Sequence, residues 1–154
     1  MPSSRPYAHD RGAVTEVDAL VAAVDTENQA VYGYGLAGAH FAGRERAAAL
    51  AALDAHRARR DRLASMVTQQ GATPPAAAPA YAPPFPVVDV ASARNLCAAL
   101  EDACAGSAWD LVAASGPASA SRSLAVVWLT DSAVTAARWR GAAGSNPALP
   151  GQPG

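Results

Sequence analysis

Residues 71–89 read GATPPAAAPAYAPPFPVVD, with prolines at Pro74, Pro75, Pro79, Pro83, Pro84 and Pro86. Each proline lacks a backbone donor and fixes φ, so the stretch cannot be helical and favours extended polyproline geometry. Nineteen residues at ~3.1 Å each reach roughly 60 Å, further than a ~40 Å helix is long. Elements on either side of this segment can therefore be joined from one end of a domain to the other.

Working outward, both flanks carry helical spacing. From the TEVD start at Thr15, apolar residues recur at Val17, Leu20, Val21, Val24, Val31, Tyr34 and Phe41, which predicts a first helix to about Ala42. A break at Gly43 and Arg44 leads into a second stripe of Leu50, Leu53, Leu63 and Val67, from Glu45 to Gln70, closed by Gly71. Beyond the proline segment, Asp89 can cap a third helix with the stripe Val90, Leu96, Cys97, Leu100, Cys104, Ala108, Leu111 and Val112, ending near Ser115. After GPASAS (116–121), Leu124, Val127, Trp128, Val134 and Arg138 mark a fourth, to about Arg140. Residues 1–13 and the Gly/Pro-rich 141–154 are expected to be a flexible start and a disordered tail.

Connections of a few residues force antiparallel neighbours, whereas a long one can cross over. The expected fold is thus all-α: two antiparallel hairpins joined by a long Pro-rich crossover at 71–89, a four-helix bundle over 14–140 in the ferritin-like arrangement. Composition agrees, since 154 residues suit one core and the chain is 51% hydrophobic but only 6% aromatic, with alanine dominant. A formal net charge of −1 gives no basic field for nucleic acid or an anionic membrane. No apolar run approaches the ~18 residues of a membrane span, and MPSSRPYAHDRG lacks the apolar core of a secretory signal, so a cytoplasmic protein is expected. All twelve basic residues are arginine, a genomic habit with no functional content. Cys97 and Cys104, seven positions apart on one helix, would be separated by about 10 Å, too far to bridge, and are read as inert core thiols.

Each stripe holds one polar residue where an apolar one is expected: Glu27, His56, Glu101 and Asp131. Their spacing turns them toward the core, where bare carboxylates are costly unless paired or bound to a cation. Two readings stay open. One is an ion-pair network of Glu27, Glu101, Asp131 and His56 with Arg57 and Arg60; the other is a single-metal site, iron or manganese, made by Glu27, His56, Glu101 and Asp131. Counting from the expected break sets Glu27 level with Arg60 and about a turn from His56. The remaining arginines of the dense turn Arg57, Arg59, Arg60 and Arg62 are read mainly as a solvated face.

Four segments together carry a resemblance: ENQAVYGYGLAGAH (Glu27–His40), LDAHRARRD (Leu53–Asp61), APAYAPPFP (Ala78–Pro86) and AARWR ending at Arg140. They resemble an uncharacterised bacterial ferritin-like family, a domain of unknown function, over about Val14 to Arg140. The resemblance implies the fold and a place among ferritin-like proteins, and no established activity. Ferritin-like metal proteins take a Glu from each of two helices and Glu-x-x-His from each of the other two. Here the second helix reads Leu53-x-x-His56 and the fourth Trp128-x-x-Asp131, so the six-ligand set is incomplete.

Gly33-Tyr34-Gly35-Leu36-Ala37-Gly38 spells G-x-G-x-x-G, but helical spacing runs through it with no strand before it, so small residues for close helix crossing are the expectation rather than a dinucleotide site. His40 is expected to stabilise a helix end, and Trp109, Trp128 and Trp139 to fill core and interfaces. No nucleophile with a base at readable spacing appears. The sequence therefore points first to a non-catalytic scaffold without a cofactor, acting through a homodimer or another protein partner. The alternative is a metal-binding oxidase or storage relative with a reduced site.

Overall fold

The computed structural model describes residues 14–143; the sequence-based expectations for 1–13 and for the tail beyond 143 fall outside the described residues. Four helices, α1 (Glu16–Gly38), α2 (Gly43–Gln69), α3 (Val90–Ala114) and α4 (Ala120–Ala143), account for the regular structure, and no strand occurs among the described residues.

Local chemistry sets the ends. Thr15 and Asp18 form a capping box on α1, the Thr15 hydroxyl accepting from the Asp18 N–H at 3.2 Å and the Asp18 carboxylate accepting from the Thr15 N–H at 3.2 Å. Asp89 caps α3 in the same way, accepting from the Ser92 N–H at 2.7 Å; such caps are worth about 1 kcal/mol each. Two glycines take the left-handed backbone that side chains rarely adopt, Gly43 (φ +54°) entering α2 and Gly71 (φ +76°) leaving it. The first helix stops at Gly38, about a turn before the expected Ala42, and the link to α2 is Ala39–Ala42 rather than Gly43 and Arg44. Gly33 allows a close helix crossing, because a Cβ there would come within 2.5 Å of the Leu100 Cδ1 on α3. The whole G-x-G-x-x-G run lies inside α1.

The close helix contacts are α1 with α2, α1 with α3, and α3 with α4. Two apolar clusters hold them, one toward each end. The first joins Tyr34, Ala37 and Phe41 of the α1 end to Ala49 and Leu53, Ala93, Leu96 and Cys97, and Trp139. The second joins Leu20 and Val24 to Leu63, Met66 and Val67, Leu111 and Ala125. Successive helices therefore alternate in direction except α2 and α3, which both start at the first cluster. The segment between them leaves the second cluster at Ala72, sets Tyr81 edge-on against Tyr32 of α1 at 5.8 Å, and packs Phe85 and Val87 on the first cluster.

α4 departs from its expected register. Its inner face carries Ser121, Ala125, Ser132, Ala136 and Trp139, while Val127, Val134, Asp131 and Arg138 are exposed. The large apolar residues suggested a stripe about one position away. Apart from Trp139 the buried residues of α4 are small, which permits close approach; Leu124 and Trp128 of the expected stripe pack partly buried on the second cluster, whereas Val127 and Val134 face outward. Trp109, expected as filler, is 62% exposed, and Val90 of the third stripe is also exposed.

Candidate functional site: a buried polar layer

Between the two apolar clusters every helix contributes polar side chains to one layer. Glu27 comes from α1, His56 and Arg59 from α2, Glu101 and Cys104 from α3, and Ser132 from α4; all but Arg59 are buried. His56 is the hub. Its Nδ1 lies 2.6 Å from Glu27 Oε2 and its Nε2 lies 3.1 Å from Glu101 Oε1, so an imidazolium donates to a carboxylate on each side. Arg59 donates to Glu27 Oε1 at 3.4 Å and to Ser132 Oγ at 2.9 Å, and its guanidinium lies 5.8 Å from the centre of the Trp128 ring. Above the layer, Trp139 Nε1 donates to the Tyr34 hydroxyl at 3.0 Å, which donates to Glu101 Oε1 at 2.7 Å; the Tyr34 ring stacks on His56 at 5.1 Å.

The formal charges of Glu27, Glu101, His56 and Arg59 cancel, as a layer this deep requires. Burial works against the imidazolium, yet the hydrogen-bonding groups around the ring, Cys104, Glu101 and Glu27, outweigh it and raise the His56 pKa to about 12. Burial also opposes ionisation of Glu101, and the hydrogen bonds from His56 and Tyr34 hold its carboxyl below the usual range. Burial, reinforced by Glu27, pushes the Cys104 thiol up to about 11, and burial with Glu101 raises Cys97 and Tyr34 as well. Neither thiol is poised as a nucleophile, and both ring nitrogens of His56 are already engaged.

Three of the four residues singled out from the sequence, Glu27, His56 and Glu101, thus meet. Asp131 does not: it is exposed on α4, and Ser132 takes the inward position. The arginine that joins is Arg59, whereas Arg57 pairs with Asp54 and Arg60 with Asp61, both outside the layer. The shorter α1 explains the shift, since it brings Glu27 level with His56. Cys104 was legible only as a core position, yet its Sγ lies 4.0 Å from His56 Nδ1, and donor atoms of Glu27, His56 and Cys104 all lie within 4.8 Å of one another. A six-ligand, two-metal centre does not fit, because Leu53 belongs to the first apolar cluster and Trp128 packs by Arg59 where two further ligands would be needed.

Comparison with known proteins adds family but no activity. The model of the domain of unknown function DUF4439 matches residues 19–154. A conserved hypothetical protein of Mycobacterium tuberculosis, rv2844, is similar in its crystal structure, with a TM-score of 0.77 and 33% sequence identity over 82% of this chain and 96% of that one. No curated protein matches the chain.

Proposed function

Since the chain belongs to the DUF4439 family, a domain of unknown function, we propose a role from its own geometry: a ferritin-like bundle serving as a non-catalytic scaffold, with an ion-pair layer where ferritin-like proteins keep metal. The ferritin-like reading is supported by the parallel start of α2 and α3 and by a proline-rich segment touching both end clusters. One observation carries the scaffold reading: His56 bridges Glu27 and Glu101 while Arg59, a cation supplied by the chain itself, also pairs with Glu27 and so balances the second negative charge of the layer. Such a layer fixes the register of four helices without chemistry of its own. No helix among the described residues is long and apolar enough to cross a membrane, and the exposed Val126, Val127 and Val134 on α4 offer a surface for a second copy or a protein partner in the cytoplasm. Metal analysis of protein from unsupplemented cells tests the reading. Metal well below one equivalent, with a melting temperature unmoved by chelator, is expected; a stoichiometric metal lost in Glu27→Gln would overturn it.

A second reading rests on the convergence of Glu27, His56 and Cys104. A carboxylate, an imidazole and a thiolate form a set that suits zinc better than the iron or manganese of a carboxylate-rich site. Binding there would take the proton from His56 Nδ1 and from the Cys104 thiol, so affinity would rise with pH. Cobalt(II) titration separates the readings, because a thiolate-to-cobalt absorption band that disappears in Cys104→Ser supports the metal site, and its absence supports the ion-pair layer.

A further inference from the structure

The side of the bundle between α2 and α4 is not closed as the others are. A groove of about 460 Å³ lies there, walled by Ala48, Ala51 and Ala52 of α2 and by Thr135 and Trp139 of α4, with Arg44 on one rim and Arg138 on the other. The volume and the mostly apolar walls with a few charged groups are those of small-molecule sites. Trp139 makes the floor apolar: its Nε1 points inward to the Tyr34 hydroxyl, and its ring is stacked on Phe41 with centres 5.2 Å apart. Ala48, Ala51 and Ala52 leave the α2 wall shallow, where larger side chains would fill the space.

The charges on the rim favour one sign. Neither Arg44 nor Arg138 forms an ion pair among the described residues. Glu45, the one acid at the groove, is engaged by Arg94 of α3 at 2.6 Å. A guanidinium presents a planar fork of donors matched to a carboxylate.

From this pairing of an apolar trough with two unpaired guanidinium groups, we propose that the α2–α4 groove binds a small carboxylate with an apolar tail, the tail against Trp139 and the alanines and the carboxylate between Arg44 and Arg138. The proposal goes beyond the scaffold reading and does not depend on it, because the groove residues are not those of the polar layer. Occupancy would nevertheless be felt there, since Trp139 is hydrogen-bonded through Tyr34 to Glu101.

Calorimetric titration of the full chain with decanoate, set against 1-decanol of equal chain length, tests it. One equivalent of decanoate should bind at least tenfold more tightly than decanol. The double variant Arg44→Gln, Arg138→Gln should remove that preference while still taking up both compounds weakly, and Ala52→Trp should block both; circular dichroism confirms that the variants fold. No binding of decanoate, equal binding of the two compounds, or a preference unchanged in the double arginine variant would overturn the proposal. Because no metal or melting measurement enters, this failure is distinct from failure of the scaffold reading.

Discussion

His56 on α2 holds Glu27 on α1 through a 2.6 Å contact between Nδ1 and Oε2, both side chains almost wholly removed from solvent. Removing one member of such a pair leaves an uncompensated buried charge, which costs about 3–5 kcal/mol. Glu27→Gln and His56→Gln should each lower the unfolding free energy by on the order of 3 kcal/mol. Because each single variant leaves the other member of the pair buried without its partner, while the double variant removes both, the double variant should lose clearly less than the two single losses added together. Urea unfolding of the four proteins checks this, and strict additivity would show that the two residues act independently.

Stability should depend on pH with a definite sign. The His56 pKa is raised to about 12 in the folded chain, against an ordinary value near ~6.5. Its contribution is therefore complete below about 6.5 and is lost as pH climbs toward the folded value, because over that interval folding takes up a proton. Glu101 is shifted the other way, so its contribution is present above the ordinary carboxylate value and lost as pH falls through the lowered one. The unfolding free energy should peak between about pH 4.5 and 6.5 and decline above that, by up to ~1.4 kcal/mol per pH unit. His56→Gln should flatten the alkaline limb; an unchanged slope in that variant would assign the proton elsewhere.

The sequence made this layer partly readable. Glu27, His56 and Glu101 stood out because each interrupts an apolar stripe, and a buried charge needs a partner. Their helices and the direction of the chain followed from spacing and from loop length. Two features could not be read. Which arginine among Arg57, Arg59, Arg60 and Arg62 turns inward depends on the vertical offset of α1 against α2, and that offset is set by the hairpin link Ala39–Ala42, which holds neither Gly nor Pro and so carries no strong stop signal. Cys104 occupied a stripe position as any small apolar residue would, so its approach to His56 depends on helix packing that periodicity does not contain.

Arg59 supplies the test of that offset. Its side chain is 11% exposed and joins Glu27 to Ser132, whereas the Arg60 side chain is half-buried and pairs only with the exposed Asp61, outside the layer. Arg59→Ala should cost on the order of 2–4 kcal/mol, through the loss of a charge-assisted pair and of its packing on Trp128. Arg60→Ala should change stability by about 0.5 kcal/mol or less, as exposed ion pairs usually do. Thermal melts of the two variants decide it, and an equal loss in both would mean that the α1–α2 offset differs from the one described.

The fourth helix offers a sharper contrast between adjacent residues. Asp131 is exposed and Ser132 is completely buried, its hydroxyl accepting from Arg59 at 2.9 Å. Had the helix presented its valine stripe to the core, these roles would be exchanged. With small residues inward, Asp131→Ala should be nearly silent, within about 0.5 kcal/mol. Ser132→Leu must find room for a large side chain where helices approach closely and also takes an acceptor from Arg59, so a loss of about 1–3 kcal/mol or more is expected. The same pair reads out the metal question. A layer that held a metal through α4 would lose it on substitution of Asp131, whereas the described register leaves any metal content of the Asp131→Ala protein equal to that of the unaltered chain. Denaturant melts and metal analysis on the two variants supply both results, and a marked loss of either stability or metal in Asp131→Ala would turn α4 back to the valine-inward register.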